Sequence, residues 1–211
     1  MSSEPSRPGP PPASTPPLRF PFSLLPFDVL ARDYVTRCGG QWDGLAVGAL
    51  IFSHLPPADR VLLIQRDKSD SLPEKWEIPS GVVSNNPSKD ATVLQAVVRE
   101  LWEETGLLAR ELKRVVNAPG EEGFVFSNST KTKVFCRFVF EVGAAEDENG
   151  GMEIRLNPAE HQDFVWATEE EVRERVVERD DGGKQKIDLT SDSLGHLIQE
   201  AFRLRKEGRE N

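Results

Sequence analysis

The feature that most constrains this chain is the run Arg99-Glu100-Leu101-Trp102-Glu103-Glu104-Thr105-Gly106-Leu107. At helical pitch, Glu100, Glu103 and Glu104 fall within roughly 100° of one another, so three carboxylates share one side of a helix. Leu94, Val97, Val98 and Leu101 project elsewhere, which lets the same helix dock on an apolar core while presenting the acids. Gly106 supplies the left-handed residue that ends the helix, with Leu107 placed for the accompanying apolar contact. Ser88 or Asp90 is the expected N-cap. Crowded, unprotonated carboxylates suit hard cations such as Mg²⁺ and Mn²⁺, which take oxygen ligands. Taken alone, the same pattern also describes an ordinary solvated acidic face.

Around this helix the chain reads as strands and helices without a strict βαβ repeat. Residues 44–52 and 60–66 are apolar, β-branched runs of strand length, expected to pair. Residues 76–81 form a short strand entering a loop, in which Asn85-Asn86-Pro87 signals a turn. Residues 124–126 and 133–142 read as a hairpin around a polar turn, and 144–152 as a solvated acidic loop. Residues 160–166 alternate toward a last strand. Thr168-Glu169-Glu170-Glu171 then opens a helix with a capping box, and an amphipathic helix follows over 191–206. The expected fold class is α/β, with a mixed sheet between helices.

Organisation follows from composition. Residues 1–18, rich in Pro and Ser, lack the apolar side chains needed to offset their ordering entropy and are expected to be a disordered tail. Residues 19–40 form a helical extension, with a helix expected from about Phe27 to Thr36, and 41–206 form the main domain. The formal net charge of -9 argues against a general affinity for nucleic-acid polymers or anionic membranes. Cys38 and Cys136 form no metal-binding cluster and no disulfide framework. With no membrane-length apolar run and no secretory signal pattern, a cytoplasmic protein, or one also nuclear, is expected.

The run Arg99 to Leu107 resembles the second half of the Nudix box, Gly-x5-Glu-x7-Arg-Glu-U-x-Glu-Glu-x-Gly-U, where U is bulky and apolar; every fixed position of that half matches. Trp76-x-Ile78-Pro79-x-Gly81 is similar to the family's strand leading into the box, and Glu160-His161-x-x-Phe164-x-Trp166 to a late strand. The first half departs. Gly81 to Arg99 is four residues longer than the pattern, and Ala91 stands where the box has a glutamate. Asp90 is the neighbour placed to take over that glutamate's helix-starting or salt-bridging role.

The resemblance implies a Nudix-type α/β/α sandwich and a divalent-metal-dependent hydrolase that cleaves the pyrophosphate of a nucleoside diphosphate derivative with metal-activated water. It implies Mg²⁺ or Mn²⁺ held by Glu100, Glu103 and Glu104, with Arg99, Glu103 and Glu104 as the catalytic set. Gly81 would let backbone approach the metal or phosphate, and the general base would come from Glu104, Glu121, Glu122 or Glu160, with Glu104 ranked first. His161 at a strand start is either structural or a group that titrates near neutrality. Arg66, Phe124 and Phe126 are candidate substrate contacts, through phosphate pairing and base stacking, although strand aromatics are commonly core. The expected partner is a nucleotide-type small molecule, and a homodimer is possible. The competing reading is a non-catalytic Nudix-fold module that binds a nucleotide or a protein.

Overall fold

The protein is described here by a computed structural model covering residues 17–53, 58–117, 122–179 and 181–210. The Pro-rich segment expected to form a tail lies, up to residue 16, outside the described residues, as does Glu121.

The extension begins with a 3₁₀ turn, Phe22–Phe27, followed by helix α1, Ala31–Arg37. The single helix expected from Phe27 to Thr36 is therefore corrected. Pro26 falls inside the 3₁₀ turn, Asp28 leaves helical geometry, and Leu30 is extended, so a second helix starts only at Ala31. Phe27 anchors this segment, with its ring centroid 4.9 Å from that of Phe138 and 5.3 Å from that of Phe140. Burying such a ring contributes about 2–3 kcal/mol.

Strand β1, Gly44–Ser53, is buried along all ten residues, as expected of a central strand covered on both faces. Strand β2 is Arg60–Arg66, β3 is Trp76–Glu77 and β4 is Ser80–Val82. Helix α2, Val93–Thr105, carries the carboxylates. Strands β5, Ala109–Val116, β6, Phe124–Ser127, and β7, Val134–Ala144, come next, then β8, His161–Ala167, and helix α3, Glu169–Glu174. A small hairpin, β9, Val176–Glu178, and β10, Lys184–Lys186, precedes helix α4, Asp192–Glu210.

The sheet is mixed. β1 runs parallel to β7 over Gly44–Ile51 and Phe135–Val142, while β5 and β6 pair antiparallel with β7. Along its other edge β1 changes partner. Ala46, Val47 and Gly48 face β4, whereas Phe52 and Ser53 face β2, which is flanked by β3 and β8. Strands 44–53 and 60–66 thus meet only at their ends. The segment 76–82 is two strands rather than one, because β3 stays with β2 and β4 crosses to β1 around Pro79, whose carbonyl accepts Ala49 N–H at 2.8 Å.

Each face of the sheet carries its own apolar core. On one, Leu45, Val47, Ile51 and Phe140 pack with Leu94, Val97 and Leu101 of α2 and with Leu24 and Phe27 of the extension. On the other, Leu50, Leu63, Val139 and Ile78 pack with Val172 of α3 and Leu197, Ile198 and Phe202 of α4. The result is the mixed sheet between helices expected from the sequence, and the α/β/α sandwich that the family resemblance implies. No helix among the described residues is long and apolar enough to cross a membrane.

Candidate active site

Helix α2 starts after neither expected N-cap but after Thr92, four residues past Ser88 and two past Asp90. Thr92 is extended and its side chain accepts Gln95 N–H at 3.2 Å, whereas Asp90 is committed elsewhere. The Asp90 carboxylate is fully buried and accepts Arg99 Nε at 2.6 Å, Arg99 Nη2 at 2.8 Å and Ser84 N–H at 2.7 Å. Of the two roles open to Asp90 in place of the absent box glutamate, it fills the salt-bridging one and not the helix-starting one. At the other end Gly106 adopts φ 69°, as its sequence position demanded, and its N–H returns to Trp102 O.

Arg99 organises the first half of the acidic face. Its Nη1 lies 2.7 Å from Glu100 Oε1 and 3.2 Å from Glu103 Oε2, and its Nη2 reaches Val82 O at 3.3 Å. Burial alone would lower the Arg99 pKa; hydrogen bonds to Asp90 and the charge of Glu100 overcome this and raise it. Glu100 shows the opposite balance. Burial raises its carboxyl above the usual range, Arg99 pulls it down and Glu103 adds to the rise, leaving it raised. Its carboxylate rests on Gly81: a Cβ there would sit 2.2 Å from Glu100 Cδ. Only glycine leaves this space.

Glu104 is held apart from that pair. It is 7% exposed, and its Oε2 accepts the N–H of Ser80 at 2.8 Å, at the break between β3 and β4. Burial pushes its carboxyl well above the ordinary carboxylate value, the charge of Glu77 adds to this, Ser80 N–H opposes it, and Glu100 and Glu160 push it further up.

The structure brings a second group to Glu104. Among the described residues, ligand atoms of Glu104, Glu160 and His161 lie within 4.8 Å of one another, a different trio from Glu100, Glu103 and Glu104. The segment before β8 is tied to the end of α2, since Asn157 N–H reaches Glu104 O at 3.2 Å and Arg155 N–H reaches Thr105 O at 2.8 Å. The Asn157 carbonyl in turn accepts the N–H groups of Glu160 and His161, at 3.0 and 2.9 Å. His161 is buried, with Nε2 3.3 Å from Glu77 Oε1 and no partner for Nδ1 among the described residues. Of the remaining base candidates, Glu122 is exposed and its charge acts on Tyr34 of α1.

Arg66, the candidate phosphate contact, is held by two carboxylates. Its Nε and Nη2 bind Asp70 Oδ1, at 2.9 and 2.5 Å, and its Nη1 binds Glu77 Oε1 at 2.6 Å. The turn after β2 delivers Asp70 to the guanidinium at the strand end. Phe124 and Phe126 are half-buried and line a cavity of roughly 260 Å³ between β6, β7 and the start of α4, together with Arg137.

Sequence reasoning missed Glu77, Arg137 and Asn157. Glu77 stands between the buried Trp76 and Ile78, and Arg137 inside the apolar run of β7; a charge flanked by apolar residues was the available signal. The donor set suits a hard divalent cation. Its members are oxygen-rich, and the upward displacement of Glu104 and Glu100 reflects desolvation and like-charge crowding that such a cation relieves.

Residues 44–187 match the family model of the NUDIX domain. Similar solved structures include a MutT protein from Methanosarcina mazei Go1, with 21% identity, a TM-score of 0.54, and coverage of 77% of this chain and 94% of that one. The NUDIX domain of Shewanella oneidensis NrtR complexed with ADP ribose shares 20% identity at a TM-score of 0.52, covering 76% of this chain and 87% of that one. A C. elegans Ap4A hydrolase shares 20% identity at a TM-score of 0.51, covering 76% and 97%. No curated protein matches.

Proposed function

Because the chain belongs to the Nudix family, we propose that it is a divalent-metal-dependent hydrolase that cleaves the pyrophosphate bond of a nucleoside diphosphate derivative. The observation that carries this is Glu104: a buried carboxylate, fixed by Ser80 N–H and crowded by Glu77, Glu100 and Glu160. Such crowding is expensive unless cationic charge is shared among the oxygens.

Glu100, Glu103 and Glu104 are the residues that would hold Mg²⁺ or Mn²⁺. When bound, the ion neutralises phosphate oxygens and lowers the pKa of the attacking water. The protein's own part is positional. Arg99, braced by Asp90, fixes the orientation of Glu100 and Glu103, and Gly81 admits the Glu100 carboxylate against the backbone. For Glu104, the first base candidate, burial and the tie to Ser80 favour a ligand role instead. The exposed Glu160, converging on Glu104, is the carboxylate better placed to take a proton from water.

The test is phosphate release from a panel of nucleotide sugars, dinucleotides and nucleoside triphosphates with Mg²⁺ or Mn²⁺. Glu104→Gln abolishes turnover and metal-induced stabilisation, whereas Glu160→Gln lowers kcat and leaves that stabilisation in place. The same two variants separate this reading from a non-catalytic nucleotide-binding module. That second reading is favoured by the NrtR domain's complex with ADP ribose and by Ala91 in the box-glutamate position. It predicts no turnover on any panel member and nucleotide binding unaffected by either change.

A further inference from the structure

The β6–β7 cavity holds chemistry that the hydrolytic site does not use. Arg137 sits where β7 pairs with both Phe124 of β6 and Ala46 of β1, and its guanidinium carbon lies 5.1 Å from the ring centroid of Phe126 and 5.8 Å from that of Phe124. The two rings are nearly parallel, at 18°, with centroids 6.2 Å apart, and Phe126 continues the stack onto Phe135. Arg137 Nε is shielded from solvent and has no hydrogen-bond partner among the described residues. An unpaired buried donor of this kind is costly and uncommon. Burial lowers the Arg137 pKa, the charge of Glu77 opposes this, Arg66 adds to the fall and Glu104 opposes it, so Arg137 lies within the electrostatic reach of the carboxylate site.

We propose that Arg137, with Phe124 and Phe126, reads the nucleobase of the substrate and selects a purine that presents adjacent acceptor atoms, as the ring nitrogen and carbonyl of guanine do, over adenine. The proposal rests on the nucleotide-hydrolase reading and names its base. A guanidinium only donates hydrogen bonds. Guanine offers two acceptors, N7 and O6, along one edge, matching the arginine fork, whereas adenine offers N7 beside an amino donor that faces a donor group unfavourably. The aromatic shelf supplies stacking, which is tolerant of base identity, so discrimination falls to Arg137. A cavity of roughly 260 Å³ accommodates a purine ring system.

The experiment is calorimetric binding of GDP and of ADP to the full chain in Mn²⁺, for wild type, Arg137→Met and Arg137→Lys, with a melting curve for each. Wild type binds GDP at least about tenfold more tightly than ADP. Arg137→Met brings the ratio to within about twofold of unity. Arg137→Lys keeps the charge but loses the fork, and lowers the ratio while melting cooperatively, so it carries the test if the methionine variant fails to fold. Equal affinities in wild type, a preference for ADP, no binding of either at millimolar concentration, or a ratio unchanged in Arg137→Lys overturns the proposal. A GDP preference without turnover on any substrate leaves it standing and removes the hydrolase; turnover with adenine favoured does the reverse.

Discussion

Replacing Gly81 by alanine separates the stability of this fold from the geometry of its acidic site. The added Cβ would meet Glu100 Cδ at 2.2 Å and its two oxygens at 2.3 and 2.4 Å, whereas ordinary van der Waals contact begins at 3.4 Å. The carboxylate must therefore retreat by about 1 Å or more. The obstructed atoms are the far end of a flexible side chain, and Gly81 needs no left-handed backbone, so the strand pairing of β4 with β1 survives. Alanine also reduces the freedom of the unfolded chain, worth about 0.4–1 kcal/mol in its favour. Net stability should change by no more than about 1 kcal/mol. The site should not survive as well. Glu100 loses its 2.7 Å pairing to Arg99 or drags the guanidinium with it, and a displacement of about 1 Å at a reacting centre costs on the order of 100-fold in rate. The assay combines thermal melting with Mn²⁺-dependent turnover for Gly81→Ala, Glu100→Ala and the double variant. Once Glu100 is gone, the alanine at 81 obstructs nothing, so the double variant should be no slower than Glu100→Ala. Wild-type turnover in Gly81→Ala, or equal losses from Gly81→Ala in both backgrounds, would refute the reasoning.

Other outcomes follow from the same contacts. Asp90→Ala strips three hydrogen bonds from a buried network and should destabilise the protein by about 3 kcal/mol in urea denaturation; a loss below about 1 kcal/mol would contradict its bracing of Arg99. Mn²⁺ at about 100 times its Kd should add about 2.7 kcal/mol to the folded state, visible as a rise in Tm of about 5–10 °C, and a flat Tm across millimolar metal would count against the site. For Glu171, burial favours the neutral form, but the N–H groups of Thr168 and Glu178 outweigh it and hold the carboxyl below its usual value. A depressed folded-state pKa gives stability that is present above the unfolded value and is lost as pH falls through the folded one. Glu171→Gln should therefore lower Tm at pH 7 and converge with wild type below about pH 4, and a gap that persists in acid would argue for a steric cause.

Much of the fold was legible because its signals are local. Gly106 marked the end of α2, Thr168 to Glu171 gave the capping box of α3, and the apolar runs gave β1, β2 and β7. Strand β5 escaped because its alternation is broken: bulges between Ala109 and Glu111 and between Leu112 and Arg114 shift the phase of inward-facing residues. The hairpin of β9 and β10 has three residues per strand, too few for a periodic signal. Helical spacing grouped Glu100, Glu103 and Glu104, and the structure divides them between Arg99 and Ser80. What joins Glu104 to Glu160 and His161 is Asn157, a contact across 53 residues that no spacing rule encodes.

The longer loop after Gly81 takes on a different meaning from the way its ends are held. Arg99 grips Val82 O on one side and Asp90 on the other, and Asp90 closes the circuit by accepting Ser84 N–H. The loop is thus clasped at its neck, and residues 85–89 beyond the neck are exposed. Closing a somewhat longer loop costs little, since the entropy grows only with the logarithm of its length. The Arg99–Asp90 clasp thus uncouples the loop's length from the register of the acidic helix on the sheet.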